Sequence, residues 1–393
     1  MSAEKTIGIG IIGLGTVGGG VAQLLRDNAE LYARRAGRRI EVRSVLVRNV
    51  EKARAAALVD PELVTDDPDV FFGTDGIRVV VELAGGIEHA ERFVRRTLES
   101  GRHVVTANKA LLAAKGPELF ALAHRHGVTI GFEASCAGGI PCITAICFGL
   151  MANRISGLLG ILNGTCNYML TEMKEAGKSY EQALADAQAA GYAEADPTLD
   201  VTGRDAADKL AILSSLAFER RVAADQVDSI GIDALDADDV TAGLSAGYEL
   251  KLLGVARDVD GKLSLMVEPC YVPKEGVLAG VRGPFNALFV EGDAVGKAMF
   301  YGPGAGREAT ASAVVSDLIN TASGWYASAM SQMKLTPNFH EPADVVASGE
   351  RVGTFALRSA GSQDLQLLVN VTADTARERA GEGGRAIRVI PEA

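Results

Sequence analysis

The chain has 393 residues, 48% hydrophobic and 23% charged, a profile of a soluble globular protein with about two domains. Its net charge of −11 disfavours nucleic acid or an anionic membrane as a partner, because both are bound through basic surface. Its five cysteines include no CxxC pair, so they indicate neither a disulfide framework nor a zinc site and suit a reducing cytoplasm.

Thr6 to Ile12, TIGIGII, reads as a short buried strand, β-branched and uncharged. GLGTVG follows at once and puts Gly13, Gly15 and Gly18 at G-x-G-x-x-G spacing, ahead of a helical pattern from Val21 to Arg34. Strand, glycines and helix in that order are the context a dinucleotide site requires. Gly13 permits the tight turn, Gly15 lets the backbone approach a pyrophosphate, and Gly18 lets the helix pack closely on the strand. Thr16 and Val17 lie where the helix N-terminus offers amide donors to the phosphates. The apolar run Ile7 to Val17 lacks the basic leader of a signal peptide, and Gly138 to Ala152 is too short to span a bilayer.

Ile40 to Val47 is the next strand, with Arg48 at its carboxyl end. An NAD site usually has Asp or Glu there to accept from the ribose hydroxyl, whereas arginine forks onto a phosphate. Arg48 therefore favours NADP, or use of both cofactors; the plainer alternative is an arginine that stacks on the adenine or faces water. Val79 to Leu83 and His103 to Thr106 read as parallel strands ending in Ala84-Gly85-Gly86 and in TANK. The second turn carries Asn108 and Lys109 to the carboxyl edge of the sheet, where ligands bind in doubly wound folds. Thr129 to Glu133 is a further strand, and ASCAGGIP bends sharply after it. Bare carbonyls and one carboxylate in such a bend suit a hard cation; the alternative is a hinge without an ion.

Ile140 to Met151 reads as an apolar helix and Ile155 to Leu162 as the first strand of a second domain. NGTCNYML, Asn163 to Leu170, turns that strand into a helix and offers Asn163 and Thr165 as polar contacts. Cys166 is a weak candidate nucleophile: His340 is the only histidine beyond residue 126, so the second domain offers no Cys–His pair. It reads as a packed small residue.

The most informative stretch is Gly191 to Leu216, GYAEADPTLDVTGRDAADKLAILSSL. Asp196-Pro197 marks a turn, Thr202 reads as an N-cap, and a helix runs from Asp205 with Leu210, Leu213 and Ala217 at helical spacing. Asp205 and Lys209 share a helix face at i and i+4, which on a surface would be an ion pair worth roughly 0.3–0.5 kcal/mol. Two features oppose that reading. The flanking LAILSSLAF is too apolar for an exposed helix, and Glu194, Asp196, Asp200 and Asp205 crowd four carboxylates into twelve residues beside one lysine. Such a crowd calls for a cation, a substrate ammonium or water.

Asp225 to Ile232 reads as a connector and Asp239 to Gly247 as a helix. Leu250–Arg257, Leu263–Val272, Pro284–Val290 and Gly296–Tyr301 read as strands with turns at DVDGK and EGDAVG. They predict a mixed, mostly antiparallel sheet with helices on one face, a surface that often joins subunits. YGPGAG, Tyr301 to Gly306, opens a long helix from Thr310 to Met333, and the tail has strand-like pieces at Thr354–Arg358 and Leu365–Val371.

The run from Ala189 to Leu213, AAGYAEADPTLDVTGRDAADKLAIL, resembles the signature segment of the homoserine dehydrogenases, and TANK and NGTCNYML are similar to that family too. The resemblance spans Lys5 to Met333. It implies an α/β fold: a Rossmann-type dinucleotide-binding domain over residues 1–139, completed by a returning helix at 304–334, and an α+β catalytic and oligomerisation domain over 140–303. Residues 335–393 form a tail shorter than the regulatory domain that many members carry.

The activity implied is reversible hydride transfer between L-homoserine and L-aspartate 4-semialdehyde, serving threonine, methionine and isoleucine biosynthesis. Lys209 would carry the proton, Lys109 would polarise the reacting oxygen by the nicotinamide, and Glu194 and Asp205 would hold the substrate ammonium. Gly191, Tyr192, Asp200, Asn163 and Thr165 would complete the substrate site. NADP, or NAD, would rest on Gly13, Gly15, Thr16, Val17, Gly18, Arg48, Ala84, Gly85, Thr106, Asn108, Lys109 and Gly306. The family also implies a sodium ion held by the Glu133 side chain and the carbonyls of Cys136, Gly138 and Ile140. A cytoplasmic homodimer or homotetramer is expected, with no membrane or nucleic-acid partner. Two rival readings make distinct predictions. A catalytically silent nicotinamide-binding regulator would need neither lysine, and a thiol-dependent semialdehyde dehydrogenase would need phosphate and an unblocked Cys166.

Overall fold

In the computed structural model, which describes residues 6–332 and 334–391, the opening TIGIGII run is strand β1 (Thr6–Ile12), buried from Ile7 onward. It is the centre of a parallel sheet with β2 (Arg39–Leu46), β3 (Val64–Thr65), β4 (Ile77–Glu82), β5 (His103–Thr106) and β6 (Ile130–Gly131), in the order β3-β2-β1-β4-β5-β6. The order reverses between β1 and β4, which is the switch point of a doubly wound sheet. Uncharged residues such as Ile9, Ile11, Val79, Val81 and Val105 are fully buried because helices cover both faces.

This sheet belongs to a unit made of the chain up to Gly149 together with Glu219–Arg221 and Ala305–Glu341. The helix Arg307–Ala322 lies against the helix Thr16–Asp27 closely enough that a Cβ on Gly20 would meet the Ala311 Cβ at 3.0 Å. Arg307 donates to the Gln23 side chain at 2.8 Å.

Helix boundaries differ from the sequence pattern in three places, each for a local reason. The helix after the glycines starts at Thr16 and stops at Asp27, because Asn28 leaves helical geometry, and a second helix runs from Ala29 to Ala36. The expected helix at Ile140–Met151 is a single turn, Cys142–Thr144, widening into a π-type turn at Ala145–Gly149. The expected helix from Thr310 is two helices, Arg307–Ala322 and Trp325–Gln332, parted by Gly324 at φ 83°. Met333, its expected end, lies outside the described residues, as does Lys5.

The second unit comprises Leu150–Phe218, Val222–Gly304 and the chain from Pro342. Its strands are β7 (Ile155–Ile161), β8 (Asp228–Ser229), β9 (Tyr248–Val259), β10 (Lys262–Pro273), β11 (Phe285–Gly292), β12 (Gly296–Pro303), β13 (Val352–Arg358), β14 (Leu365–Thr372) and β15 (Arg385–Val389). They pair in the order β12-β11-β7-β9-β10-β15-β13-β14, with β8 added to β10. The ladder is antiparallel except where β8 and β15 join β10 in parallel. Asp260 at φ 50° and Gly261 at φ 89° make the turn of the β9–β10 hairpin, where Asp-Gly tolerates the left-handed region. No helix among the described residues is long and apolar enough to cross a membrane.

Lys251 of β9 is buried with its ammonium donating to the Val281 carbonyl at 2.5 Å and the Asn167 side chain at 3.3 Å. Burial lowers its pKa from 10.5 to about 8, against the opposing pull of Glu249. The unfolded chain therefore binds more protons than the folded one between pH 8 and 10.5, so stability rises with pH through that window. The rise is expected to reach about 3 kcal/mol at most. Urea unfolding at stepped pH should show it in the native protein and not in Lys251→Met; the same slope in both would contradict the assignment.

Candidate functional site

The glycine turn forms at the carboxyl end of β1. Gly13 has φ 94°, and a Cβ there would lie 2.7 Å from the Leu83 carbonyl oxygen. Gly18 sits so close to the turn that its Cβ would lie 2.1 Å from the Gly13 oxygen, whereas a Cβ on Gly15 would meet nothing within 4 Å. Two glycines are thus required by the protein itself, and the third faces open space at a helix N-terminus. Thr16 begins that helix and is exposed, and Val17 is half-buried beside it. An anionic pyrophosphate fits this cradle, since the first turn of the helix carries amides with no intrahelical acceptor.

The switch-point loops beside the turn are braced by a residue the sequence pattern did not single out. Glu82, fully buried at the end of β4, accepts from the Ala84 and Gly85 amides at 2.9 and 3.3 Å and from the Thr106 hydroxyl at 2.8 Å. The signal was a carboxylate closing an otherwise apolar strand, VVVEL. Thr106 is buried, and its oxygen also accepts from the Asn108 amide at 3.0 Å, so its side chain serves the loop. Asn108 caps the helix Lys109–Arg125 through the Leu111 amide at 3.1 Å and donates to the Gly86 carbonyl at 2.7 Å. Lys109 is the first residue of that helix and is half-buried. Ala84 and Gly85 are exposed, and Gly306, at φ 120°, precedes the helix Arg307–Ala322 with open space where a Cβ would be.

Arg48 lies exposed two residues beyond β2. Arg54 is committed elsewhere, to the Pro61 and Val64 carbonyls at 3.1 and 3.3 Å, which leaves Arg48 and the exposed Lys52 as the basic groups at this corner.

The Glu133 loop is buried. The Glu133 carboxylate accepts from the Ile143 and Thr144 amides, both at 2.8 Å, and from the Thr144 hydroxyl at 2.5 Å, so it caps the turn that follows. Burial raises its pKa while those three bonds oppose the shift. Its own amide donates at 2.8 Å to Asp317, which burial pushes up to about 8. Ala137 and Gly138 both have positive φ, 52° and 58°, and the Ile140 carbonyl accepts from the Cys142 amide at 2.8 Å. Cys136 is fully buried. The carboxylate keeps one of about four acceptor directions for any ion.

In the second unit the structure brings Asn163, Asp200 and Asp205 together beside Lys209. Its ammonium donates to Asp205 Oδ2 and to the Leu162 carbonyl, each at 2.8 Å. The two side chains are only 11% and 9% exposed, so the plain surface ion pair is excluded. Asn163 donates to Asp200 Oδ1 at 2.7 Å and to Asp205 Oδ2 at 2.8 Å, while its own Oδ1 caps the following helix through the Cys166 amide at 2.8 Å. Thr165 donates to the Tyr192 carbonyl at 2.6 Å. Asn163 and Thr165 thus hold the carboxylates and the Gly191-Tyr192 bend in place. Tyr192 is exposed and packs on Tyr168 with ring centres 4.9 Å apart; Gly191, at φ 76°, and Glu194 are exposed beside it.

Thr202 is not the cap of the Lys209 helix. Thr198–Val201 forms a short helix of its own, the Thr202 hydroxyl donates back to the Thr198 carbonyl at 2.6 Å, and Gly203 at φ 79° makes the joint before Arg204–Ala217. Asp196 holds the start of the turn by accepting from the Thr198 amide and hydroxyl, which depresses its pKa. Cys166 is fully buried with its thiol donating to the Asp200 carbonyl at 3.2 Å. Burial and then the Asp200 charge raise its pKa well above the ordinary thiol value, the opposite of what a nucleophile needs.

A doubly wound sheet with an open glycine cradle, and a buried lysine held by Asp205 and the Leu162 carbonyl in a second unit, define a nicotinamide-dependent dehydrogenase. The family model described as homoserine dehydrogenase matches residues 141–319, and the homoserine dehydrogenase NAD-binding domain matches residues 13–133. Homoserine dehydrogenase of Pseudomonas aeruginosa is 49% identical over 317 residues, 80% of this chain and 72% of the relative. The crystal structure of a homoserine dehydrogenase from Thiobacillus denitrificans is 38% identical with a TM-score of 0.91, covering 99% of each chain. A hyperthermophilic archaeal homoserine dehydrogenase in complex with NADPH is 25% identical with a TM-score of 0.68, covering 80% of this chain and 97% of its own. The chain belongs to the homoserine dehydrogenase family. It is an oxidoreductase that acts on the hydroxyl of homoserine with a nicotinamide cofactor, interconverting L-homoserine and L-aspartate 4-semialdehyde.

Proposed function

We propose that Lys209 is the proton carrier of this reaction. The observation in its support is the buried Lys209–Asp205 pair clamped by Asn163. In homoserine oxidation the neutral amine of Lys209 takes the hydroxyl proton as the carbinol carbon becomes a carbonyl; in reduction the ammonium returns it. A nicotinamide cofactor with its pyrophosphate at the glycine cradle would supply the hydride acceptor. Lys109 polarises the reacting oxygen, and Asp205, Glu194 and Asp200 balance the substrate ammonium, with Gly191 and Tyr192 as the wall. Asn163 and Thr165 act by fixing these groups.

NADP is the preferred cofactor, on the argument that Arg48 and Lys52 supply positive charge where an NAD site would present a carboxylate. Gly13, Gly15, Thr16, Val17 and Gly18 take its pyrophosphate, and the loops of Ala84, Gly85, Thr106, Asn108 and Gly306 border it. The Glu133 side chain and the carbonyls of Cys136, Gly138 and Ile140 would hold a sodium ion in this bend. The strained backbone of Ala137 supports it, since a non-glycine residue at φ 52° is unfavourable unless the bend has a use. The enzyme works as a cytoplasmic dimer or tetramer in threonine, methionine and isoleucine synthesis.

Initial rates with L-homoserine and NADP or NAD at mildly alkaline pH test the reading through absorbance of the reduced cofactor. Turnover without phosphate, faster with NADP, and unchanged after iodoacetamide is expected. An Arg48→Ala protein with the same NADP-to-NAD ratio would remove Arg48 from the site, and inactivation through Cys166 would revive thiol chemistry.

A further inference from the structure

The residues from Pro342 onward lie beyond the matched family model, which ends at residue 319, yet they are built into the unit that carries Lys209. Three segments share one edge of β10. Residues 344–346 pair at Leu263, through the Leu263 amide to the Asp344 carbonyl at 2.8 Å and the Val346 amide to the Leu263 carbonyl at 2.9 Å. β8 pairs next, at Met266 and Val267, and β15 follows at Cys270 and Tyr271. The connector strand β8 is therefore held in line between two pieces of the C-terminal segment.

Arginines from that segment also grip the stretch from Asp228 in β8 to Asp239 in the helix Ala237–Ser245. Arg351, only 5% exposed at its side chain, donates to Asp228 at the start of this stretch. Arg385 donates to the Ala234 carbonyl in its middle. Arg358 forks onto Asp236 at 2.9 and 3.0 Å and donates to Asp239 at 2.9 Å at its end. Between these anchors, residues 230–232 bridge β10 and the turn that bears Asp200. The Ile230 amide donates to the Val267 carbonyl and the Ile232 amide to the Val201 carbonyl, both at 2.8 Å. Gly231 leaves no room for a side chain, since a Cβ there would lie 1.9 Å from the Val201 oxygen. Asn163 and Cys166 hold the same turn from its other side.

We propose that the C-terminal segment is a positioning element for the substrate-binding carboxylates of Asp200 and Asp205, acting through Arg351, Arg358 and Arg385 on the 228–239 stretch that backs the Asp200–Asp205 turn. The proposal rests on the reading of that turn as the homoserine site. Residues 230–236 have no helix or strand of their own, so their shape is set from outside. Loss of an anchor lets the 230–232 backing lift, and the turn then loosens around Asp200 and Cys166.

The test uses full-length protein carrying Arg351→Ala, Arg351→Lys or Arg385→Ala, the last with a side chain already 37% exposed and therefore the milder change. The homoserine KM is expected to rise about tenfold in Arg351→Ala, a loss of one tenfold step in affinity, with the cofactor KM unchanged. Arg351→Lys should recover most of it, and the reciprocal pair Arg351→Asp with Asp228→Arg should recover part. Cys166 gives a second readout that needs no turnover. Iodoacetamide labelling, located by peptide mass spectrometry, should appear at Cys166 in Arg351→Ala and Arg385→Ala while the other four buried cysteines stay protected. Unchanged homoserine KM together with unchanged Cys166 labelling in the folded variants overturns the proposal, whatever happens to Tm. Should the native protein fail to oxidise homoserine, the substrate reading falls, and the labelling still decides whether the segment holds the turn.

Discussion

Replacing Lys209 by alanine is expected to lower kcat for homoserine oxidation by about a thousandfold while leaving cofactor affinity within about twofold of the native value. A positioned acid–base group contributes roughly 10²–10⁴ in rate, and Lys209 is a buried cation paired with Asp205. The substitution also strands Asp205 in a buried site with only part of its hydrogen bonding, through Asn163. Breaking one half of a buried pair destabilises by about 3–5 kcal/mol, so the kinetics need a companion measurement of folding. Lys209→Met with Asp205→Asn removes both charges and should restore stability without restoring turnover. Lys209→Arg keeps the charge but should stay inactive, because a guanidinium does not give up its proton in this pH range. Steady-state rates, cofactor titration by fluorescence and thermal melts on the four proteins separate these effects. Native turnover in Lys209→Ala would end the assignment and return Lys209 and Asp205 to a structural pair.

The parts of this site that were legible in the sequence are those carried by local spacing. Gly13, Gly15 and Gly18 announce a turn because their order between a strand and a helix has few other uses, and the structure gives each glycine a separate geometric demand. Asp205 and Lys209 announce a pair because i and i+4 share a helix face. What spacing does not carry is depth and distant partners. The burial of the pair depends on Leu162 and Asn163, more than forty residues earlier in the chain. Thr202 looked like a cap because a Thr before an acidic first turn usually is one. It lost that role to a short helix nucleated by Pro197 and Asp196, with Gly203 free to turn the left-handed corner. Glu82 carries no local signal of its partners, since its three donors sit on the loop after β4 and at the end of β5, which only the folded sheet brings together. The C-terminal arginines gave no local signal at all, because a lone arginine reads as solvated until its carboxylate is found over a hundred residues away.

Adding one methyl group to two neighbouring glycines should separate cofactor binding from folding. Gly15→Ala is expected to fold with an unchanged Tm, since the new Cβ would touch nothing of the protein within 4 Å and the backbone at φ −77° accepts an L-residue. Its methyl would stand where a pyrophosphate approaches the helix N-terminus, so the affinity for NADP should fall about tenfold to a hundredfold, each tenfold step being about 1.4 kcal/mol. Gly18→Ala is expected to do the reverse in order of cause. Its Cβ would lie 2.1 Å from the Gly13 carbonyl oxygen, a backbone atom that cannot swing aside, so the helix must move off β1 before any ligand is involved. That displacement should cost about 1–3 kcal/mol of stability, the usual scale of overpacking, and weaken the cofactor only through the distorted turn. Calorimetric titration of NADP alongside chemical unfolding distinguishes the two. A Gly15→Ala protein that binds NADP normally would place the pyrophosphate elsewhere on the sheet edge. A Gly18→Ala protein with native stability would mean that the helix and β1 are less tightly joined than the 2.1 Å approach requires.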